Sequence, residues 1–291
     1  MRGIILAGGY GKRLWPLTRV VSKQLQAVYD KPLIYYSLST LIGCGVVEVC
    51  VVVRSGTLGM FEGLLGDGSL WGLRIEYREQ VGAGGIAEVF GVVGEEFLRN
   101  EPVVLVLGDN IFHGDGGQLA YDVGYFERQG ESGAMVYGVR VRDPWNYGVV
   151  WVNGRGEVLA IEEKPVLAGG GYAVPGFYIY DGEALERSRK LERSGRGELE
   201  VTDLHLGYMG DGRLRCRVFA PGVAWFDVGT SDRLWEAAGY VRAIESRSGV
   251  KVGCPEYEAL KAGHITREQL RDLVASMPDG EYRDFLKELR V

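Results

Sequence analysis

The apolar run Ile4-Ile5-Leu6-Ala7 is short and is bounded at once by Gly8 and Gly9, so it reads as a buried strand. A helix-like stretch over residues 33–42 ends at Gly43-Cys44-Gly45, and a nearly continuous apolar strand follows at 46–53. Such continuity suits a strand buried on both faces, so residues 3–53 predict a β-loop-α-β unit on a parallel sheet. Next come a short helix at 58–65, a strand at 73–77, a helix at 85–98 and a strand at 103–107. Beyond about residue 131 the segments shorten and alternate, at 134–141, 149–152, 158–163 and 173–180. They predict strands that extend or cover the sheet in antiparallel fashion, joined by turns such as Asn153-Gly154. A helix-like stretch at 182–193, a strand at 214–219 and helices at 231–247, 266–276 and 281–289 complete an α/β pattern, with breaks at Cys254-Pro255 and Pro278.

Candidate chemistry sits where strands end. Gly8, Gly9 and Gly11 follow the first strand, and Lys12 and Arg13 stand behind them. This is either a phosphate cradle, with close backbone approach and local positive charge, or a tight turn carrying a solvated basic pair. Two familiar phosphate loops do not fit. Leu14 occupies the third glycine position of a dinucleotide fingerprint, and Leu6 and Arg13 stand where a Walker loop needs Gly and Ser or Thr. The strand at 103–107 runs into Gly108-Asp109-Asn110, beyond the carboxyl end of a parallel strand, where ligands collect. Asp109 there holds a metal, caps a helix or makes an Asx turn; its neighbours do not choose among these. Asp227 interrupts the apolar run Ala224-Trp225-Phe226 and must be solvated, capped or bound to a cation, which makes it a candidate second metal ligand. Glu162-Glu163-Lys164-Pro165 places mixed charge at a strand end, a weak signal by itself.

Composition narrows the class. With 291 residues, 46% hydrophobic and 25% charged, the chain can bury a large core. A net charge of −6 argues against general affinity for nucleic acid or acidic membranes, so any phosphate site must be local. The 4 cysteines include no C-x-x-C pair and the 3 histidines form no local cluster, which suggests neither a zinc site nor a disulfide frame. No signal-peptide core and no apolar stretch of roughly 18 residues is present, so a cytoplasmic protein is expected.

The ordered set Leu6-Ala7-Gly8-Gly9-x-Gly11-x-Arg13-Leu14-x-Pro16-x-Thr18, Ser22-Lys23-Gln24-Leu25, Tyr29-Asp30-Lys31-Pro32, Leu65-Gly66-Asp67-Gly68, Gly108-Asp109-Asn110, Tyr147-Gly148-Val149-Val150, Glu162-Glu163-Lys164-Pro165, Arg196-Gly197-Glu198-Leu199-Glu200 and Asp227-x-Gly229-Thr230 resembles the glucose-1-phosphate thymidylyltransferases, sugar nucleotidyltransferases, over nearly the whole chain. The resemblance implies a Rossmann-like nucleotidyltransferase fold: a mixed, mostly parallel central sheet flanked by helices, an antiparallel sugar-binding extension and a helical C-terminal region. It implies a catalytic domain at 1–235, with a nucleotide-binding half at 1–130 and a sugar-binding half at 131–235, and a C-terminal region at 236–291 serving as an oligomer or regulatory surface.

The implied reaction is attack of a glucose 1-phosphate oxygen on the α-phosphorus of dTTP, giving dTDP-glucose and pyrophosphate. By position, Arg13, Lys23, Asp109 and Asp227 would be catalytic, with Asp109 and Asp227 carrying Mg²⁺. Leu6, Gly8, Gly9, Gly11, Lys12, Gln80, Gly85 and Asp109 would bind the nucleotide, and Tyr147, Gly148, Glu163, Lys164 and Val174 the sugar phosphate. A homo-oligomer, with a tetramer favoured, is implied too. The chain departs from the family's pattern at Lys12, Gln26-Ala27, the segment Val81-Gly82-Ala83-Gly84-Gly85, Glu88 and Val228. UTP or another sugar 1-phosphate, a non-catalytic nucleotide-sugar sensor, and an NADP oxidoreductase suggested by Arg54 are the competing readings.

Overall fold

A computed structural model describes residues 1–289 of the chain. β1 (Arg2–Ala7) leads through short 3₁₀ turns to a minimal hairpin, β2 (Ala27–Val28) with β3 (Lys31–Pro32). Then follow α1 (Ile34–Gly43), β4 (Glu48–Arg54), α2 (Leu58–Leu65), β5 (Arg74–Gln80), α3 (Val89–Leu98) and β6 (Val103–Leu107). The middle of the chain forms β7 (Asn110–His113), α4 (Gln118–Gln129), β8 (Ala134–Gly138), β9 (Gly148–Val152), β10 (Val158–Glu163), β11 (Tyr172–Ala173) and β12 (Phe177–Tyr180). The last part forms α5 (Ala184–Ser188), α6 (Val201–Gly210), β13 (Leu214–Val218), β14 (Ala224–Asp227), α7 (Ser231–Ser248), α8 (Pro255–Lys261), α9 (Arg267–Ser276) and α10 (Glu281–Glu288).

The central 7-stranded sheet has the order β13-β8-β12-β6-β1-β4-β5. β12 runs antiparallel to both β6 and β8, whereas β1 is parallel to β4 and β6, β5 to β4, and β13 to β8. Period-2 alternation explains why the inner strands are apolar throughout. Ile5, Val51 and Val106 face one core with α1, α4 and α8–α10, while Ile4, Val52 and Leu105 face another with α3, α5 and α6. Each such side chain contributes about 1.5–3 kcal/mol by burial. β9–β11 form a separate antiparallel sheet, and β14 pairs with β7. No described helix is long and apolar enough to cross a membrane.

Several expectations change. The segment at 173–180 is two strands, because Val174-Pro175-Gly176 leaves the ladder between β11 and β12. The helix expected at 85–98 begins at Val89, and the one at 182–193 shrinks to α5. Three helices escape the pattern reading. α4 carries Leu119, Val123 and Phe126, and α6 carries Val201, Leu204 and Tyr208, at helical spacing among polar residues. Cys254-Pro255 is a start rather than a break: Cys254 is the N-cap of α8 and Pro255 its first residue. Position 235 lies inside α7, and Cys254, Ala259, Ile265, Leu270, Val274 and Leu286 share a core with Ile5 and Val51.

Candidate active site

Parallel pairing brings the carboxyl ends of β1, β4, β5 and β6 to one edge of the sheet. There the Gly108 amide donates to the Leu6 carbonyl (2.9 Å), which joins the loop after β6 to the end of β1. Of the glycines after β1, Gly11 alone is left-handed, with φ +58°, and its carbonyl accepts from Thr18 Oγ1 at 2.9 Å. Gly8 serves close approach instead, since a Cβ there would lie 2.5 Å from Gln80 Oε1; Gly9 is exposed and open. The following turn exposes Lys12 and Arg13, and the third 3₁₀ turn buries Lys23, whose ammonium pairs with Asp109.

The β7–β14 register sets Asp227 opposite Asn110, and the Val228 amide donates to the Asp109 carbonyl at 2.9 Å. The two aspartates that the sequence separates widely thus become neighbours. Burial pushes the Asp227 carboxyl above its ordinary range, and the Asp109 charge adds to this against Lys23, Arg233 and Arg13. Arg233 Nη1 lies 3.2 Å from Asp227 Oδ2, and the Arg13 guanidinium packs on Gly229, where a Cβ would come within 2.5 Å of Nη2. Asn110 holds the corner: its Nδ2 donates to Asp109 Oδ1 (2.9 Å), and its Oδ1 accepts from the Gly176 amide (3.0 Å) and Trp225 Nε1 (2.6 Å).

A cavity of about 660 Å³ opens beside these groups. Arg13, Asp227 and Arg233 line it together with Tyr147, Gly148, Glu163, Lys164 and Val174, so two catalytic candidates, Arg13 and Asp227, share one cleft with the sugar-phosphate candidates, whereas Lys23 and Asp109 do not line it. Glu163 accepts from Thr202 Oγ1 at 3.0 Å and pairs with Lys164 Nζ at 3.2 Å. Lys164 has φ +47°, a strained value for a residue with a Cβ, and its amide donates to the Tyr147 carbonyl at 2.9 Å. The Val174 amide donates to the Gly148 carbonyl at 2.8 Å, closing the same wall. Gln80 and Gly85 lie outside this cleft on the β5 side, but Ile86 lines it, so the regions adjoin. Gly85 has φ +94°, and a Cβ there would lie 2.3 Å from the Leu199 carbonyl oxygen.

Asn110, Thr202, His205 and Arg233 were not among the candidates. Arg233 carries a usable signal, a cation in the first turn of a helix, where the dipole disfavours it. His205 is buried and lines the cleft; its Nε2 lies 2.7 Å from Tyr180 Oη, and its Nδ1 has no partner among the described residues. The groups present suit a hard divalent cation: two adjacent carboxylates, one raised partly by the other's charge, open to further oxygen ligands from a phosphate.

The nucleotidyl transferase family pattern matches residues 2–243. A glucose-1-phosphate thymidylyltransferase of Actinoplanes sp. is 46% identical over 99% of this chain and 94% of its own length. One of Mycolicibacterium smegmatis is 44% identical over 99% of both chains. Among solved structures, a Bacillus anthracis protein described as a glucose-1-phosphate thymidylyltransferase, in complex with sucrose, is 37% identical with a TM-score of 0.76, covering 83% of this chain and 95% of its own. A UDP-glucose pyrophosphorylase with UDP-glucose bound, at 21% identity and TM-score 0.69 over 84% of this chain and 98% of its own, shares the fold.

Proposed function

The chain belongs to the nucleotidyl transferase family, and on that premise we propose that it transfers thymidylyl from dTTP to glucose 1-phosphate, forming dTDP-glucose and pyrophosphate. The observation that carries this reading is that Asp227 and Arg13, beside the Asp109–Lys23 pair, line one cleft together with Lys164 and Glu163. Arg13 and Lys23 draw the triphosphate onto the glycine loop, with Leu6, Gly8, Gly9, Gly11 and Lys12 beneath it. Lys23 then exchanges its contact with Asp109 for phosphate oxygens. Asp109 and Asp227 would hold Mg²⁺, which when bound would neutralise charge at the α-phosphate.

Lys164 fixes the sugar phosphate so that its oxygen lies in line with the α-phosphorus, and Lys164 lines the cleft. Glu163, Tyr147, Gly148 and Val174 hold the sugar, while Gln80 and Gly85 hold the base. The test is pyrophosphate release with glucose 1-phosphate and Mg²⁺, comparing dTTP, UTP, ATP, CTP and GTP. Clear preference for dTTP supports the assignment. Preference for UTP keeps the chemistry and moves the base, and no release with any nucleotide refutes transfer to glucose 1-phosphate. We further propose a homo-oligomer, with a tetramer favoured; sedimentation as a monomer at micromolar concentration contradicts it.

A further inference from the structure

We propose that Glu88 is the positioning residue that sets base selectivity, by holding the Gln80 amide with its carbonyl oxygen free for the nucleotide; this rests on reading Gln80 and Gly85 as the base site. Gln80 ends β5 and its residue is 4% exposed. Its Nε2 donates to Glu88 Oε2 at 2.8 Å and to the Gly85 carbonyl at 3.3 Å. A primary amide nitrogen has two hydrogens, so both are engaged. Oε1 lies against the bare α-carbon of Gly8, where a Cβ would be 2.5 Å away, and accepts no hydrogen bond from a described side chain. Turning the amide over would set that oxygen against two acceptors, the Glu88 carboxylate and the Gly85 carbonyl, and would lose both bonds.

Glu88 is itself held. Arg193 Nη2 lies 2.8 Å from Glu88 Oε1, and Arg193 Nη1 donates to the Gly197 carbonyl at 2.8 Å. The carboxylate covers Gly84, where a Cβ would fall 1.8 Å from Glu88 Oε2, so this placement requires glycine at 84. The result is a side chain that offers the base an acceptor. A ring N–H meets it well, as in thymine or uracil at N3. Cytosine presents a lone pair at N3, which sets acceptor against acceptor and costs binding.

The test compares kcat/KM for dTTP and CTP, with glucose 1-phosphate and Mg²⁺, in the full chain and in Glu88→Ala, Glu88→Gln and Gly84→Ala. In the unaltered protein dTTP is preferred. Glu88→Ala frees the Gln80 amide to turn over and lowers the dTTP-to-CTP ratio by about tenfold, chiefly through KM. Glu88→Gln, whose own carbonyl can accept from Gln80 Nε2, keeps the ratio. Gly84→Ala displaces the carboxylate without removing it and shifts the ratio as Glu88→Ala does, which keeps the test alive if Glu88→Ala does not fold. An unchanged ratio in folded Glu88→Ala or Gly84→Ala, or an equal loss in Glu88→Gln, overturns the proposal. An unaltered protein active with dTTP but indifferent between dTTP and CTP overturns the Glu88 role alone, whereas no activity with dTTP overturns the underlying base-site reading.

Discussion

Asp109 and Asp227 are neighbours, and each has a cation beside it, Lys23 and Arg233 respectively. Asp109 is paired to a buried ammonium, whereas Asp227 is raised by burial and by the Asp109 charge. A carboxyl whose folded pKa exceeds its unfolded value costs the native state stability above that folded pKa. The cost is released as pH falls through it, or when a cation binds. Asp227→Asn, without metal and near neutral pH, is therefore expected to melt higher than the parent while turnover drops by orders of magnitude. A lower melting point would sink this electrostatic account. Asp109→Asn should also abolish turnover but lose about 3 kcal/mol, because Lys23 is left buried without its carboxylate; denaturant melts distinguish the two variants. His205 adds a separate acid sensitivity. Burial lowers its pKa from 6.5 to about 3, so the unfolded chain binds the extra proton between those values and stability falls as pH drops below 6.5. Melting curves of His205→Asn from pH 7 to 4 should show a shallower decline than the parent; parallel curves would contradict this.

At the scale of elements, the β7–β14 pair is what makes a site from residues 109 and 227, and Asn110 fastens it to the start of β12 through the Gly176 amide. Asn110→Ala removes three hydrogen bonds from a residue that is 1% exposed. A loss of about 2–4 kcal/mol is expected, with lower turnover even though the Asp109 and Asp227 carboxylates remain. Unchanged stability in urea would rule out this fastening role. The sequence places Asn110 at a turn, but its bonds reach residues 176 and 225, so no local pattern exposes them. The reverse holds for Asp67-Gly68, quoted for its resemblance to the family. Asp67 Oδ1 accepts from the Ser69 amide at 3.0 Å and Gly68 has φ +86°, which makes this motif a turn leading to β5.

For the whole molecule, the C-terminal helices are built into the main core rather than appended to it. Gly72, with φ +69°, lies so close to the loop before α9 that a Cβ would meet the His264 carbonyl oxygen at 2.3 Å. Lys31 joins Glu245 (2.9 Å) near the end of α7, and Lys251 returns to Glu245 (3.0 Å), so Asp30-Lys31 acts as a clamp far along the chain. A chain ending at Ser248 would uncover the apolar surface that Cys254, Ala259, Ile265 and Leu270 cover. It should lose the single cooperative thermal transition expected of the intact protein, as calorimetry can check. A truncated chain that unfolds cooperatively with the parent's midpoint would argue for a separable region.

The parts determined by sequence alone are those whose cause is local or periodic. Ile4-Ile5-Leu6-Ala7 and Val103–Leu107 announce inner strands, because residues buried on both faces must be apolar. The ordered motifs point to the reaction class through their joint resemblance to the sugar nucleotidyltransferases, since each motif alone also fits a turn or a solvated charge. Tertiary structure alone decided which of these groups meet. Sheet order carries Gln80 and Gly85 to the β5 side of the cleft, β14 carries Asp227 to Asp109, and α7 brings Arg233 beside Asp227. Charge interactions fall off with distance through space, and distance along the chain does not report it.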